Sequence, residues 1–595
     1  MRQYKQYKVV APEETVSRIK EILSNCGIKV KEIEAANSNN TFFSAHLHIC
    51  NNGLLPYGLS TNGKGITPAF ALASAYGELM ERIQTGILFK QRSFLAKPYQ
   101  KELSSQTNDL KCLKYYFAPD EIVVYGQERR NVLDKYVALY DMASVKDGYK
   151  KDFEILLPFY NVMKNEVENI PQRILEHACG SNGMSAGNTP EEAILQGLCE
   201  IFERYALRKL YEDNLTPPDI PLDFFKDREI YRRIQELKST YGYEIRVKDC
   251  SVGMNLPVIG VLIIDKTTNR YEFHLGADTV PHVALERVLT ELFQNRSELE
   301  LKQIDFALQY SLLSDTKLKE RERVKYSFMQ NYMPITVFGD TPSYTSNWYM
   351  FDDWGVSDEK DLRLLVSLLS DNGYTLYVRD VSFLGFPSFI TYIPGMSELL
   401  NVESLSWFNA TFEKNDRISE IAHSLPSASE AEIQELIGLV SRFNEPEYLS
   451  FFNNKDVWNS GNPLFVLGVL ALVVKDYDSA LKYFNKALVN TVNSKLISFY
   501  SLYRDYSVVM KSNPGDVKLL SSIYSQEEIE IVEKSVNERQ WLNVFNISSC
   551  FNCPECKISE GCSYKAYSEL LLTRENLYVK NLINQNSLSK IFRNG

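Results

Sequence analysis

Two pairs of glutamates recur at one spacing: Thr67-Pro68-x-x-Ala71 continues to Glu78-x-x-Glu81-Arg82, and Thr189-Pro190-x-x-Ala193 continues to Glu200-x-x-Glu203-Arg204. A weaker third copy runs from Pro281 and Ala284 to Glu291 and Gln294. Residues three apart lie on one helix face, so each pair points two mutually repelling carboxylates the same way. Magnesium takes an octahedral shell of hard oxygens shared among carboxylates, waters and phosphates, so two such helices facing each other would hold nucleotide-bound magnesium. One isolated copy is most simply a solvated charged face. Two copies set among Leu79, Met80 and Ile83 and among Ile201, Phe202 and Tyr205 imply burial, and buried carboxylates need partners. Arg82 and Arg204 either bridge to phosphate oxygens or neutralise the glutamates.

Elements follow from the same segments. Each proline suits a first helical turn, and Thr67 and Thr189 are placed to cap it. Thr189 and Glu192 also have capping-box spacing, which would turn Glu192 back to the cap. Ser181 to Asn188 is a small, polar, glycine-containing turn that leads into the second helix, a setting that suits phosphate oxygens. Gly63-Lys64-Gly65 precedes the first helix in the same way and reads as a structural turn. Walker, Rossmann and kinase signatures are absent. His274, Asp278 and His282 read as polar loop and cap residues without a chemical role.

The chain of 595 residues has 44% hydrophobic and 24% charged residues and a formal charge of -11. That composition predicts folded, multi-domain protein and no general attraction to nucleic acid or anionic lipid. The N-terminus lacks the apolar core of a secretory signal, and the longest apolar run, Leu464 to Val474, is too short to span a bilayer. A cytoplasmic, non-membrane protein is the expectation. Strand-like stretches, such as Thr41 to Cys50 and Pro257 to Ile264, alternate with periodic helices up to about residue 415, which gives an α/β or α+β domain over 1–415. Residues 416–595 read as all helical. There Asp476 to Leu488 has the spacing of a tetratricopeptide-like hairpin, with Ala480 and Phe484 on one face.

Six cysteines, Cys26, Cys50, Cys112, Cys179, Cys199 and Cys250, lack metal-ligand spacing and read as reduced thiols. The other four, Cys550, Cys553, Cys556 and Cys562, are close enough to wrap one metal, structural zinc or a [4Fe-4S] cluster, with an unliganded cluster as the plain reading.

The segments GKGITPAFALASAYGELMERI, SNGMSAGNTPEEAILQGLCEIFERY and VALERVLTELFQNR closely resemble the three nucleotide-binding motifs of the YcaO family. The resemblance covers about residues 1 to 415, and the helical extension is similar to that of the founding member, an accessory factor in β-methylthiolation of a small-subunit ribosomal protein. It implies a YcaO-type ATP-binding fold with ATP and Mg2+ as cofactors, and activation of a peptide amide by attack of its carbonyl oxygen on the terminal phosphate. It implies Glu78, Glu81, Glu200 and Glu203 as magnesium ligands. Ser185, Asn188, Glu192 and Arg204 would contact nucleotide or metal, joined by Arg82 and Gln294. Lys8 and Thr15 are similar to a phosphate-contacting Lys and Ser. No residue is assigned as catalytic. Expected partners are a peptide or ribosomal protein substrate, a radical methylthiotransferase and a second copy in a homodimer. The chain lacks the proline-rich C-terminal tail of the family's cyclodehydratases, ending instead in NSLSKIFRNG. That departure weighs against azoline formation, which with thioamide formation and nucleotide-gated assembly without chemistry is kept as an alternative.

Overall fold

The computed structural model describes residues 8–36, 41–49, 60–86, 120, 122–128, 131, 153–294, 299, 301–303, 333–399, 421, 427–440, 463–489, 494–537 and 585–593. The chain divides into two compact units, one of residues 1–90, 108–406 and 560–595, the other of residues 91–107 and 407–559.

The first unit begins with helix α1 (Pro12–Asn25) and strands β1 (Val30–Ala36), β2 (Phe43–Ile49) and β3 (Ser60–Gly65), which form an antiparallel sheet in that order. Helix α2 (Pro68–Thr85) follows β3 directly and lies on the sheet. The close approach requires glycine: a Cβ at Gly63 would sit 2.0 Å from the Ala71 carbonyl oxygen, and one at Gly65 would sit 2.6 Å from the Ala71 nitrogen.

A second sheet contains β4 (Ile122–Tyr125), β5 (Phe153–Asn161), β6 (Glu166–Pro171), β7 (Met184–Ala186), β13 (Tyr377–Asp380) and β14 (Ser388–Tyr392), in the order β4-β5-β13-β14-β7 with β6 on β5. Helix α3 (Pro190–Glu212) follows β7 and packs against β14 and β7. A third sheet has the order β12-β11-β10-β9-β8, from β8 (Asp219–Ile220), β9 (Glu244–Asp249), β10 (Val258–Asp265), β11 (Arg270–Ala277) and β12 (Lys302–Gln303). Helix α4 (Glu229–Tyr241) precedes β9, helix α5 (Pro281–Leu292) packs on β11 and β10, and helix α6 (Asp358–Asp371) packs on α3. Every strand pairing among the described residues is antiparallel, so of the two expected classes the sheets have the α+β form.

The helix starts behave as the sequence requires. Thr67 Oγ1 accepts from the Phe70 amide and Thr189 Oγ1 from the Glu192 amide, with proline in the first turn of each. Helix α5 also starts on proline but has Val280 at its cap and no side-chain cap bond. Helix α3 is buried along most of its length, with Ile194, Leu198, Ile201, Phe202 and Leu210 fully enclosed. At about 1.5–3 kcal/mol per large apolar side chain, this burial fixes its rotation and so the direction of Glu200 and Glu203.

The second unit contains α7 (Glu430–Val440), α8 (Pro463–Val473), α9 (Tyr477–Val489), α10 (Ser494–Ser512) and α11 (Gln526–Asn537). Helices α8 and α9 form a hairpin in which Ala480 and Phe484 are both buried, and a Cβ at Gly468 would sit 2.6 Å from the Phe484 ring. The final helix, α12 (Gln585–Arg593), which sequence reading groups with the helical region, packs within the first unit: Leu588 is buried in its core and the Phe592 ring stacks on Tyr160 at 6.0 Å. Among the described residues, no helix is long and apolar enough to cross a membrane.

Candidate nucleotide and metal site

The N-terminal turn of α3 gathers four of the expected residues. Thr15 of α1 donates from Oγ1 to Asn188 Oδ1 at 2.9 Å, Asn188 Nδ2 donates to Glu192 Oε1 at 3.2 Å, and Lys8 Nζ pairs with the same oxygen at 3.2 Å. Of the capping box only the Thr189 half is seen among the described bonds; the Glu192 carboxylate is held instead by Asn188 and the Lys8 ammonium. Arg18 donates to the Asn188 and Gly385 carbonyls, a contact no sequence pattern announces.

Ser185 stands on β7 within the same segment, fully buried, and its Oγ has no hydrogen-bond partner. Arg204 Nε is likewise buried and unpartnered. A buried polar atom left unpaired costs about 1–3 kcal/mol, so both point to a group that completes them.

The glutamates of α2 and α3 lie within electrostatic reach of one another. Burial, with the charges of Glu200 and Glu78, pushes Glu81 well above the usual carboxylate range against the pull of Arg82. Burial also raises Glu200, opposed by Arg204 and Arg82 and reinforced by Glu203. Arg82 lies 3.3 Å from a Glu78 oxygen and 3.4 Å from a Glu81 oxygen. No three His, Cys, Asp or Glu side chains among the described residues converge as a ready metal cage, and Arg82 holds the space between the α2 carboxylates. Hard oxygens crowded in a half-buried site, Glu81 and Glu200 among them at raised proton affinity, fit a hard divalent cation, which would relieve their repulsion as the guanidinium now does.

Two residues passed over in sequence belong here. Lys64 lies on a strand, paired across from Ser44, and not in a turn. Its ammonium pairs with Glu291 of α5; burial and the Arg287 charge lower it to about 8, with Glu203 and Glu78 pulling the other way. Arg287 donates to Gln196 of α3 at 2.8 Å. It stands one turn before Glu291 on the same face, and that spacing was the available signal. Gln294 lies just beyond α5, its amide bonded to the Glu291 carbonyl, and no described side-chain hydrogen bond joins it to the glutamates. The third copy thus brings Arg287 and Glu291 to the site more directly than Gln294.

Cys179, Cys199 and Cys250 are buried and Cys26 is half-buried, and burial pushes Cys26, Cys179 and Cys250 upward, away from thiolate. Cys50, Cys112 and the set Cys550, Cys553, Cys556 and Cys562 lie outside the described residues. His274 bonds Glu272 at 2.8 Å.

Residues 62–397 match the family profile described as YcaO cyclodehydratase, ATP- and Mg2+-binding. The chain is 27% identical over 506 residues, 80% of its length and 81% of the other's, to the Escherichia coli protein named ribosomal protein S12 methylthiotransferase accessory factor YcaO. Among solved structures it is similar to YcaO from Methanopyrus kandleri bound with AMPPCP and Mg2+ (TM-score 0.41, 19% identity, 67% of this chain and 94% of that one). It is also similar to a heterocyclase in complex with substrate and cofactor (TM-score 0.42, 18% identity, 67% of this chain and 54% of that one).

Proposed function

The chain belongs to the YcaO family, and from that premise we propose that it binds ATP with magnesium between α2, α3 and α5 and uses it as an accessory factor in peptide or ribosomal protein modification. The observation that carries this reading is the half-buried, mutually repelling set Glu81 and Glu200 ringed by Arg82, Arg204 and Arg287, with Lys64 beside Glu78 and Glu203. Alternating charge of this kind, half-buried with Glu81 14% and Arg82 24% exposed, suits a triphosphate and its cations reaching it from solvent better than it suits a plain core. Glu78, Glu81, Glu200 and Glu203 would hold magnesium, which neutralises the phosphates when bound. Lys64 and Arg204 would meet phosphate oxygens, and Ser185, Asn188 and Glu192, with Lys8 and Thr15 behind them, would fix the nucleotide at the start of α3.

The relative in Escherichia coli supports the accessory-factor assignment, with a peptide or ribosomal protein substrate and a methylthiotransferase as partners. By family resemblance, ATP would activate a backbone amide whose oxygen takes the terminal phosphate. The test is phosphate release from Mg-ATP by the full chain with and without ribosomal protein S12. Release stimulated by S12 and lost in Glu203→Gln supports turnover on that substrate. S12 association that depends on ATP without release assigns gated assembly instead, and the absence of both rejects the accessory-factor reading.

A further inference from the structure

On the face of the first sheet turned away from α2, strand β2 carries two histidines two residues apart. Ala45 and Leu47 are buried in the core beneath α1 and α2, so by strand alternation His46 and His48 share the opposite face. Their Nε2 atoms stand 2.8 Å apart, with ring planes at 82°. At that separation a single proton lies between the two nitrogens, one donating and one accepting. His46 Nδ1 is 2.5 Å from Asn62 Oδ1 on β3. A carbonyl oxygen only accepts, so His46 carries its proton on Nδ1, and its Nε2 lone pair faces His48. Metal-bound histidines are held this way, with the far ring nitrogen donating to an oxygen that fixes the tautomer.

The distance decides what can enter. With metal–nitrogen bonds of about 2.0–2.1 Å, two imidazoles at a right angle have nitrogens about 2.9 Å apart, and at the tetrahedral angle about 3.3 Å. The observed 2.8 Å is within a small ring rotation of both. We propose that His46 and His48 form a two-histidine chelate for a divalent transition-metal ion of the zinc, nickel or copper class, separate from the magnesium site. Imidazole selects such ions over magnesium, which prefers oxygen. On binding, His48 changes tautomer: the proton between the two Nε2 atoms passes by way of solvent to His48 Nδ1, both Nε2 lone pairs turn to the ion, and water completes the shell.

The rung is open to entry: Ile33, directly across from His46 on β1, is 43% exposed. Lys31 is across from His48, and its long stem can carry the ammonium away from the ion. The pair also adjoins the glutamate site. Lys64 is one same-face step along β3 from Asn62, and the Asn62 amide donates to Glu78 Oε2 at 3.3 Å.

The test is a Cu2+ titration of metal-stripped full-length protein, followed by pulsed electron paramagnetic resonance that counts coordinated imidazoles. Wild type should bind a Cu2+ with two imidazoles. His46→Gln and His48→Gln should each reduce the count to one and weaken that site at least tenfold, while Asn62→Ala should keep two imidazoles and weaken binding by about tenfold, as loss of an orienting partner does. Mg-ATP affinity should be unchanged in His48→Gln, which separates this site from the proposed nucleotide site. Absence of two-imidazole coordination in wild type, or its persistence in a correctly folded His48→Gln protein, overturns the proposal.

Discussion

Lys64 leaves β3 among acids from three helices, Glu78 of α2, Glu203 of α3 and Glu291 of α5. Replacing it by methionine keeps the stem and removes the charge, so Lys64→Met should fold normally and weaken Mg-ATP binding by about tenfold or more, roughly 1.4 kcal/mol, in a calorimetric titration. Unchanged affinity would place Lys64 outside the site. Glu286 on α5 offers a pH test away from the nucleotide. Burial raises it to about 7, against the pull of Arg233. A carboxyl raised on folding contributes stability fully below its unfolded value, near 4.5, and loses that contribution as pH rises through 7. Glu286→Gln should therefore be more stable than wild type at pH 8 by about 1–3 kcal/mol and lose that advantage towards pH 4.5, as read from denaturant midpoints across pH. At this scale Glu78, Glu81, Glu200 and Glu203 stand out as candidates because two copies repeat them. Lys64 and Arg287 do not, because a glycine-flanked lysine reads as a turn and a lone helical arginine as surface.

The three echoed helices share a way of docking. Ala71 of α2 meets Gly65, Ala193 of α3 meets Gly187, and Ala284 of α5 meets Gly276 on the strand before it. The conspicuous Pro-x-x-Ala spacing thus marks a helix turning back onto its own strand, which brings the acidic residues ten positions after proline to a common region. Gly187→Ala would place a Cβ 2.7 Å from the Ala193 nitrogen, and the clash should cost about 1–3 kcal/mol, visible as a lower unfolding midpoint. Thr189→Ala, which removes only the cap, should cost about 1 kcal/mol; equal losses would mean that the glycine contact is slack. Helix starts were legible because proline and threonine act locally. Strand neighbours were not, since β5 pairs with β13 more than two hundred residues later, and short strands such as β7 carry no periodic signature of their own.

In the whole molecule, the first unit draws on both ends of the chain. Lys8 and Thr15 reach the start of α3, and α12 closes over Tyr160 with Leu588 in the core. No local pattern assigns an amphipathic helix at 585–593 to a sheet four hundred residues earlier, so from sequence alone it groups with its helical neighbours. Leu588→Ala should destabilise this unit by about 2–4 kcal/mol and hasten protease cleavage within it; cleavage confined to the second unit would contradict the packing. The central claim is that α2 and α3 bring their carboxylates to one cation and one nucleotide. Calorimetric binding of a non-hydrolysable ATP analogue at graded Mg2+ tests it most directly. Wild type should need Mg2+ for tight binding, and Glu81→Gln and Glu200→Gln should each shift the Mg2+ dependence to higher concentration, by tenfold or more. Mg2+ dependence identical in wild type and both variants would contradict the account.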